Sequence, residues 1–408
     1  MSVAIEDIRR AAEAIRGAVV ETPTVHSRLL SELSGARLFL KMENLQYTGS
    51  FKERGALVRL LSLSPEQRRR GVVTMSAGNH ALGVAYHAQR LGIPATVVMP
   101  RGTPFVKVAN TRYHGARVVL RGDALAEAAE HAHRLTESEG LVFVHPFDDP
   151  FVIAGQGTIA LEMLRQLPDL DMLVVPVGGG GLIAGCAIAA KHVRPSIEIV
   201  GVQSELYPSM LQAVHGAPAV RGGKISAEGI AVVTNGALTR EIVVRHVDRL
   251  LTVSEEEIET AVQMLVEIEK TVAEGAGAAG LAAVFAHREL FAGRRVGVVV
   301  CGGNIDMRLL ASVLMRGLVR AGRLAWIRVA VGDAPGELAK LAGLIGAADA
   351  NIVEITHQRL FHRLSVKMAE VDVVVETRDA THVAALLDEL DAADFSPRLL
   401  NAGQPPSN

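Results

Sequence analysis

Cysteine and aromatic residues are scarce in this chain. Its 408 residues include two cysteines, Cys186 and Cys301, one tryptophan and only 4% aromatic residues in total. The cysteines do not form a CxxC spacing, which argues against a disulfide scaffold or a structural zinc site and favours a reducing compartment. The formal net charge of -2 gives no basic footprint, so we expect no nucleic-acid partner and no binding to an acidic membrane.

Long hydrophobic runs are also missing. No apolar stretch reaches the roughly 18 residues that a membrane-spanning helix needs. The first 20 residues contain acidic residues and have apolar positions at helical spacing, unlike a secretory signal. The chain is 49% hydrophobic and 21% charged, as expected of a globular protein with two or three domains. We therefore expect a soluble cytoplasmic protein.

Short β-branched runs alternate with alanine-rich helical patterns between about residues 70 and 320. Nearly continuous apolar strands separated by helices are typical of a parallel sheet covered on both faces. Several of these strands run directly into glycine, serine or asparagine. Because ligands bind at the carboxyl ends of such strands, functional residues are expected there.

The pattern changes after "MRGLVRAGRLAW", which we interpret as a connector. We predict a first domain over residues 1–320 and a second, small domain over 325–408 with the element order βαββαβ of ferredoxin-like folds. Its strands include "NIVEITHQRL" and an alternating run with Val371, Val373 and Val375, and its helices place two apolar sets inward. These sets are Leu338, Leu341, Leu344 and Ile345, and Val383, Leu386, Leu387 and Leu390.

The stretch "VVPVGGGGLIAGCAIAA" predicts a buried strand, a glycine loop and a helix. Glycines let the backbone approach a phosphate, and the helix N-terminus offers free N–H groups to it, so we favour an anion site over a simple turn. Gly179, Gly181 and Ala184 also satisfy a loose GxGxxA pattern, which keeps a nicotinamide-dependent oxidoreductase as a remote alternative.

Two further strands are predicted to end at polar or reactive residues. Ser76, Ala77, Gly78, Asn79 and His80 follow "VVTM", where backbone amides could face a carboxylate, or the segment could be only a capped turn. Cys301 ends "GVVVC" before Gly302, Gly303 and Asn304. Its thiol could meet a ligand edge, or Cys301 could be a small buried hydrophobe.

Lysine is rare beside arginine, with eight lysines against 34 arginines. One of them, Lys52, lies among small and polar residues in "TGSFKERGA". A lysine amine can form a Schiff base, whereas an arginine cannot. Together with the glycine loop and Asn79, this lysine predicts a site for pyridoxal 5'-phosphate (PLP) rather than for a nucleotide.

Six ordered motifs resemble those of the fold-type II PLP enzymes, and most closely the threonine dehydratases, or threonine ammonia-lyases. They are "KMENLQYTGSFKERGA", "SAGNHA", "HPFDDPFVIAGQGT", "VGGGGL", "AEGAGAAG" and "CGGN". The resemblance covers roughly residues 5–320. It implies two open, mostly parallel α/β subdomains, the smaller one inserted at about residues 45–150.

The resemblance also assigns roles to individual residues. Lys52 would be the Schiff-base lysine and the base that removes the substrate α-proton, with Phe51 packed on the cofactor ring. Asn79 would bond the cofactor 3'-oxygen, and Cys301 would face the pyridine nitrogen. The phosphate would be held by Gly178, Gly179, Gly180, Gly181 and Leu182, the substrate carboxylate by Ser76, Ala77, Gly78, Asn79 and His80, and Glu274 would lie nearby as a secondary residue.

The implied reaction is the β-elimination of L-threonine, and of L-serine, to 2-oxobutanoate or pyruvate and ammonia. The alternatives are serine racemase and hydroxyaspartate ammonia-lyase. Serine racemases, which share most of these motifs, place a second base at the position of Ala77, and alanine cannot carry a proton. Glu228 stands where relatives often have aspartate, in some of them near a cation, and we assign no metal.

Residues 325–396 resemble an ACT-type regulatory domain, through "DAPGELAKL" and "ANIVEI". The resemblance implies an amino-acid effector, with isoleucine or valine as candidates, and a place in isoleucine biosynthesis. A domain that only mediates oligomerisation is the alternative. We expect a homo-oligomer, either a dimer or a tetramer.

Overall fold

The computed structural model describes residues 2–216, 222–358, 365 and 367–400, which divide into two compact units, Met1–Asp306 and Met307–Asn408. Residues 307–320 form a helix in the second unit, so the first half of the segment that we interpreted as a connector is helical. The end of the predicted strand "NIVEITHQRL" and the last eight residues of the small domain lie outside the described residues.

The first unit contains two groups of strands. The strands are β1 Thr24–His26, β2 Arg37–Lys41, β3 Val72–Met75, β4 Ala95–Met99, β5 Arg117–Leu120, β6 Val142–Phe143, β7 Met172–Pro176, β8 Glu198–Ser204, β9 Arg249–Val253 and β10 Arg295–Val299. One sheet has the order β1-β2-β10-β7-β8-β9, and the other has the order β5-β4-β3-β6. All neighbours pair in parallel except β1 with β2, which confirms the parallel arrangement predicted from the apolar strands.

Helices connect and cover these strands. They are α1 Ile5–Ala14, α2 Arg28–Ser34, α3 Lys52–Leu61, α4 Pro65–Arg70, α5 Asn79–Arg90, α6 Phe105–Tyr113, α7 Leu125–Glu139, α8 Pro150–Gln166, α9 Gly181–Val193, α10 Ser209–His215, α11 Ala237–His246, α12 Glu255–Glu267, α13 Gly275–Ala286 and α14 Arg288–Phe291, with short 3-10 turns at Glu43–Leu45 and Glu228–Ile230. Both faces of the strands β7 and β10 are therefore buried, and their side chains are almost entirely aliphatic.

The glycines of "AGQGT" explain how three helices pack closely. A Cβ on Gly155 of α8 would lie 2.6 Å from the Cα of Gly55 in α3, and a Cβ on Gly185 of α9 would lie 2.5 Å from the amide nitrogen of Gly157 in α8. Side chains at these positions would push the helices apart. This close packing fixes α3, and with it Lys52 at its first turn, against the body of the unit.

A buried ion cluster lies beneath α3. The guanidinium of Arg54, whose side chain is fully buried, donates to Glu43 at 2.7 Å and to Glu162 at 2.6 Å, while the amine of Lys41 donates to Glu162 at 2.6 Å. Two cations and two carboxylates balance. Because buried charges are tolerated only when they are paired and hydrogen-bonded, we assign the cluster a structural role.

The second unit is an antiparallel sheet with helices on one face. Its elements are α15 Met307–Arg320, β11 Leu324–Gly332, α16 Glu337–Ala347, β12 Asn351–Gln358, β13 Met368–Glu376, α17 Ala380–Ala392 and β14 Ser396–Leu399, with the strand order β12-β13-β11-β14. The βαββαβ order from β11 to β14 is confirmed. Val371, Val373 and Val375 are buried as predicted, whereas the prediction for Leu338 is wrong, since 36% of its surface is exposed.

None of the helices in the described parts of the chain is long and apolar enough to cross a membrane.

Candidate active site

Lys52 lies where two distant segments of the first unit pair. The backbone N–H of Phe51, which precedes α3, donates to the carbonyl oxygen of Cys301 at 3.1 Å. Ser50 and Gly302 form an isolated antiparallel bridge beside it. The motif "TGSFK" is thereby joined to "CGGN" at the carboxyl end of β10, so the structure brings together Lys52 and Cys301 as predicted from the sequence.

Among the residues that the structure describes, the Lys52 amine has no carboxylate partner within hydrogen-bonding distance. Its Nζ donates to the carbonyl oxygen of Pro146 at 2.7 Å and lies 5.3 Å from the centre of the Phe51 ring. Burial lowers the pKa of Lys52 to about 8, an effect that the nearby Cys301 and Glu274 oppose. An amine that loses its proton near neutral pH is a competent nucleophile and base. Pro146 lies in the motif "HPFDDPFVIAGQGT", but no role was predicted for it.

His80 contacts the segment that holds the Lys52 amine, at Val144, two residues before Pro146. Its Nε2 lies 3.1 Å from the carbonyl oxygen of Val144, and since a carbonyl only accepts, Nε2 carries the hydrogen. Burial, with a further contribution from Lys52, lowers the pKa of His80 to about 3, so the ring is neutral. Nδ1 is buried without a hydrogen-bond partner among the described residues. The residues before His80 form a half-buried loop in which Ala77 offers no titratable group.

Asn79 begins α5 and belongs to a hydrogen-bonded group. Its Nδ2 donates to Oε1 of Glu274 at 2.6 Å, and its Oδ1 accepts from Nδ2 of Asn304 at 2.8 Å. Burial raises the pKa of Glu274, whose backbone N–H donates to the carbonyl oxygen of Gly302. The predicted residues Asn79 and Glu274 therefore meet, although they are far apart in sequence. Asn304 follows Gly303 in the motif "CGGN", but no role was predicted for it.

The glycine loop connects β7 to α9. Among the residues that the structure describes, the backbone N–H groups of Gly178, Gly179 and Gly180 have no hydrogen-bond acceptor. Gly180 has a φ of +95°, and a Cβ on Gly179 would lie 2.3 Å from the Phe147 ring. Free amides at a helix N-terminus fit a phosphate group.

Thr239 and Phe147 shape this loop but were not predicted. The Thr239 hydroxyl donates to the carbonyl oxygen of Gly179 at 2.8 Å, which fixes the orientation of the peptide between Gly179 and Gly180. Asp148 accepts from the backbone N–H groups of Ala237 and Thr239, each at 3.0 Å. The segment that begins at Pro146 therefore contacts both the Lys52 amine, through Pro146, and the glycine loop, through Phe147.

Cys301 is buried, with 3% of its surface exposed. Burial raises the pKa of its thiol, with the nearby Glu274 contributing, so the thiol stays protonated and neutral. A neutral group of this kind could bond a ring nitrogen without forcing it to be protonated. The donors and acceptors around Lys52 thus fit PLP, with a phosphate loop, an amide and a lysine amine in one unit.

An ion pair joins α6 to the turn at Glu228. The amine of Lys107 lies 2.5 Å from Oε2 of Glu228. The adjacent Gly229 lies close to the glycine loop, since a Cβ added to Gly178 would be 3.1 Å from the carbonyl oxygen of Gly229. It is also close to the Glu274 carboxylate, since a Cβ added to Gly229 would be 3.6 Å from Oε1 of Glu274. Glu228 was noted from the sequence as a departure from relatives, but Lys107 was not predicted as its partner. Within the described residues, no group of three His, Cys, Asp or Glu side chains could hold a metal.

Residues 15–302 match the family model described as pyridoxal-phosphate dependent enzyme. This chain belongs to that family. The PLP-dependent enzyme is 45% identical to the L-threonine ammonia-lyase of Thermotoga maritima over 98% of this chain and all of the relative. It is 43% identical to the catabolic L-threonine dehydratase of Escherichia coli K12 over 77% of this chain and 96% of the relative.

A solved structure resembles the PLP-dependent enzyme at the level of fold. Maize serine racemase superposes with a TM-score of 0.72 at 34% identity, covering 78% of this chain and 99% of the racemase. The fold-type II architecture implied by the motifs is therefore confirmed. The Thermotoga relative also spans the second unit, whereas the Escherichia relative matches only 317 residues.

Proposed function

We propose that this protein is an L-threonine ammonia-lyase that also accepts L-serine and forms 2-oxobutanoate or pyruvate with ammonia. One observation carries the proposal. The Lys52 amine, whose pKa is lowered to about 8, can act as a base in the site. Ala77, in the loop that leads into α5, cannot act as a second base. The 45% identity to an L-threonine ammonia-lyase along nearly the whole chain supports the substrate assignment.

We assign PLP binding to residues that lie close together in the first unit. Lys52 would bind it covalently, and Phe51 would pack on its ring, with Asn79 and Cys301 at its polar edges. Gly178, Gly179, Gly180, Gly181 and Leu182 would hold its phosphate through their N–H groups. When bound, PLP supplies an electron sink for negative charge at the substrate α-carbon.

Residues of the protein would then orient the substrate and move its α-proton. The amides from Ser76 to His80 would orient the substrate carboxylate, and the neutral His80 ring adds no charge that would pull it away. Lys52 would take the proton from the α-carbon. The electron pair of that C–H bond would form the bond between the α- and β-carbons, and the β-hydroxyl would leave as water by taking up the proton that Lys52 removed. Hydrolysis of the resulting enamine releases ammonia and the 2-oxo acid.

The base is tested with Lys52→Ala. We expect 2-oxo acid formation to fall to background while the protein without PLP keeps its thermal midpoint, because Lys52 makes one hydrogen bond and no ion pair with the part of the chain that the structure describes. Lys191→Ala is the matched control, since Lys191 lies on α9 and pairs with Asp248 at the surface. Turnover of L-threonine by the Lys52 variant would contradict the assignment.

A serine racemase is the second candidate, favoured by the likeness to the maize racemase. Ala77 argues against it, because racemisation needs a proton carrier on each face of the α-carbon. We expect Ala77→Ser to raise D-serine formation relative to pyruvate formation, measured by chiral chromatography. Ala77→Gly, which adds no hydroxyl, is the control. Equal product ratios in both variants would contradict this account of the one-sided site.

Substrate preference is tested by initial rates on L-threonine, L-serine and 3-hydroxyaspartate. A preference for 3-hydroxyaspartate would replace the threonine assignment by the hydroxyaspartate ammonia-lyase alternative. The nicotinamide-dependent oxidoreductase requires a dinucleotide at the glycine loop, and the family of this chain gives it no support.

We further propose that the second unit is an ACT-type regulatory domain in a cytoplasmic homo-oligomer. Its antiparallel sheet with α16 and α17 packed on one face supports this, as does its presence in the Thermotoga relative. The domain division at residues 1–320 and 325–408 stays a prediction. Rates with and without isoleucine and valine test the effector, and sedimentation tests the dimer or tetramer. Unchanged rates with an intact oligomer would favour the oligomerisation role.

A further inference from the structure

The orientation of the Asn79 side chain is fixed at both of its polar atoms. A side-chain amide has one oxygen that accepts and one nitrogen that donates two hydrogens. The oxygen of Asn79 accepts from Nδ2 of Asn304 at 2.8 Å, and its nitrogen donates one hydrogen to Glu274 at 2.6 Å. One N–H of Asn79 therefore remains for a further acceptor, and the amide cannot rotate by 180° without losing both bonds.

Asn304 is itself held in place by the loop that precedes Lys52. Its Nδ2 also donates to the carbonyl oxygen of Thr48 at 2.7 Å, so both hydrogens of the nitrogen are used. Its side chain packs on Gly49, where an added Cβ would lie 2.6 Å from Oδ1 of Asn304. Since Gly49 has a φ of +71° as well, both the backbone and the space at this position require glycine.

The loop is in turn fixed to α3. The backbone N–H and the hydroxyl of Thr48 both donate to Oε2 of Glu53 at 2.7 Å, and Glu53 follows Lys52 in the helix. Hydrogen bonds therefore run without interruption from Glu53 through Thr48, Asn304 and Asn79 to Glu274. Groups linked in this way hold one another in a single arrangement.

We propose that Asn304 is a positioning residue that fixes the Asn79 amide so that its remaining N–H faces the 3'-oxygen of PLP. The inference rests on the proposed function, because it takes the oxygen of PLP as the acceptor. Asn304 acts through Asn79 and does not itself touch the cofactor. A donor held in this orientation stabilises the ionised 3'-oxygen and with it the visible absorption band of lysine-bound PLP.

The test uses the full-length protein loaded with PLP and the isosteric change Asn304→Asp. The new carboxylate has no hydrogen to donate and would repel both Oδ1 of Asn79 and the carbonyl oxygen of Thr48. We expect the visible band to weaken relative to the near-ultraviolet band, and PLP to bind about tenfold more weakly, as for the loss of a hydrogen bond to a charged group. Asn304→Ser removes the donor without adding charge and should change both quantities in the same direction.

Asn44→Asp is the matched control. Asn44 donates to Thr271 and to the carbonyl oxygen of Val272, at 2.8 and 3.0 Å, on the same side of the unit but without contact to Asn79. We expect its band ratio to equal that of the wild type. In an Asn79→Ala background the Asn304 changes should have no further effect on the ratio, because the residue through which they act is gone.

The outcomes separate two failures. A wild-type protein that gives no visible band with PLP would overturn the proposed cofactor site and this inference with it. A normal wild-type band, with Asn304→Asp and Asn304→Ser both matching Asn44→Asp, would overturn only the role of Asn304. Additive effects of the Asn79 and Asn304 changes would also overturn it, since they would show that Asn304 acts by another route.

Discussion

Replacing Arg54 by methionine tests whether the arginine in "SFKERGA" is structural. The guanidinium makes six hydrogen bonds, four of them to the carboxylates of Glu43 and Glu162 and the others to Thr158 and the carbonyl oxygen of Val20. Methionine fills much of the same volume but carries no charge. The cluster would then contain two carboxylates and one cation, leaving one buried negative charge without compensation.

Breaking a buried pair by removing one partner costs about 3–5 kcal/mol of unfolding free energy. We take about 4 kcal/mol, since Glu43 is fully buried and Glu162 keeps its bond to Lys41. At about 2.1 cal/mol/K per residue, a unit of this size has an unfolding entropy of about 0.6 kcal/mol/K. The thermal midpoint should therefore fall by about 6 °C.

Thermal unfolding of the protein without PLP, followed by circular dichroism, measures this shift without any contribution from cofactor binding. Arg245→Met is the control, because Arg245 pairs with Glu241 at 2.9 Å with both side chains 63% exposed, and exposed pairs contribute about 0–1 kcal/mol. A midpoint for Arg54→Met within 1 °C of the control would refute the structural assignment. Loss of turnover at an unchanged midpoint would instead point to a role in the chemistry.

Two further predictions concern the glycine loop and the Lys52 amine. Gly179→Ala should destabilise the protein by about 1–3 kcal/mol and weaken PLP binding, because the new methyl group would collide with the Phe147 ring. Gly343→Ala, with open space around it, is the control, and equal PLP affinities would contradict the prediction. The rate at which protein without PLP captures it should rise with pH through about 8 and then level off, because only the neutral Lys52 amine reacts and burial lowers its pKa. Stopped-flow absorbance measures this rate. A capture rate that keeps rising as the pH approaches 10.5 would show that the pKa of Lys52 is that of an ordinary lysine.

The sequence predicted the parts of the site that depend on local pattern. Apolar strands that end in glycine, serine or asparagine indicated Asn79, the glycine loop and Cys301, because ligands bind at the carboxyl ends of parallel strands. The strand before Asn79 belongs to one sheet, and the strands before the glycine loop and Cys301 belong to the other. The scarcity of lysine drew attention to Lys52. The βαββαβ order of the second unit followed from alternation along its strands and from helical spacing.

Contacts between distant segments could not be predicted in this way. Pro146 holds the Lys52 amine through its backbone, and every residue has a carbonyl group, so its sequence carries no signal. The Asn304 to Asn79 bond joins residues 225 positions apart. Leu338 fits the apolar spacing of α16 but is partly exposed, since spacing alone does not show where the covered stripe ends.

The pairing of residues 49–51 with residues 301–303 has a consequence for the order of events during synthesis. The Lys52 helix and its neighbours are made early, but Cys301 and Gly302, which fix the loop before Lys52, are made last in the first unit. A nascent chain that stops before residue 300 therefore lacks one wall of the pocket. Cofactor capture can follow only the completion of this unit, and the visible colour of bound PLP would report that the chain has folded from end to end of the unit.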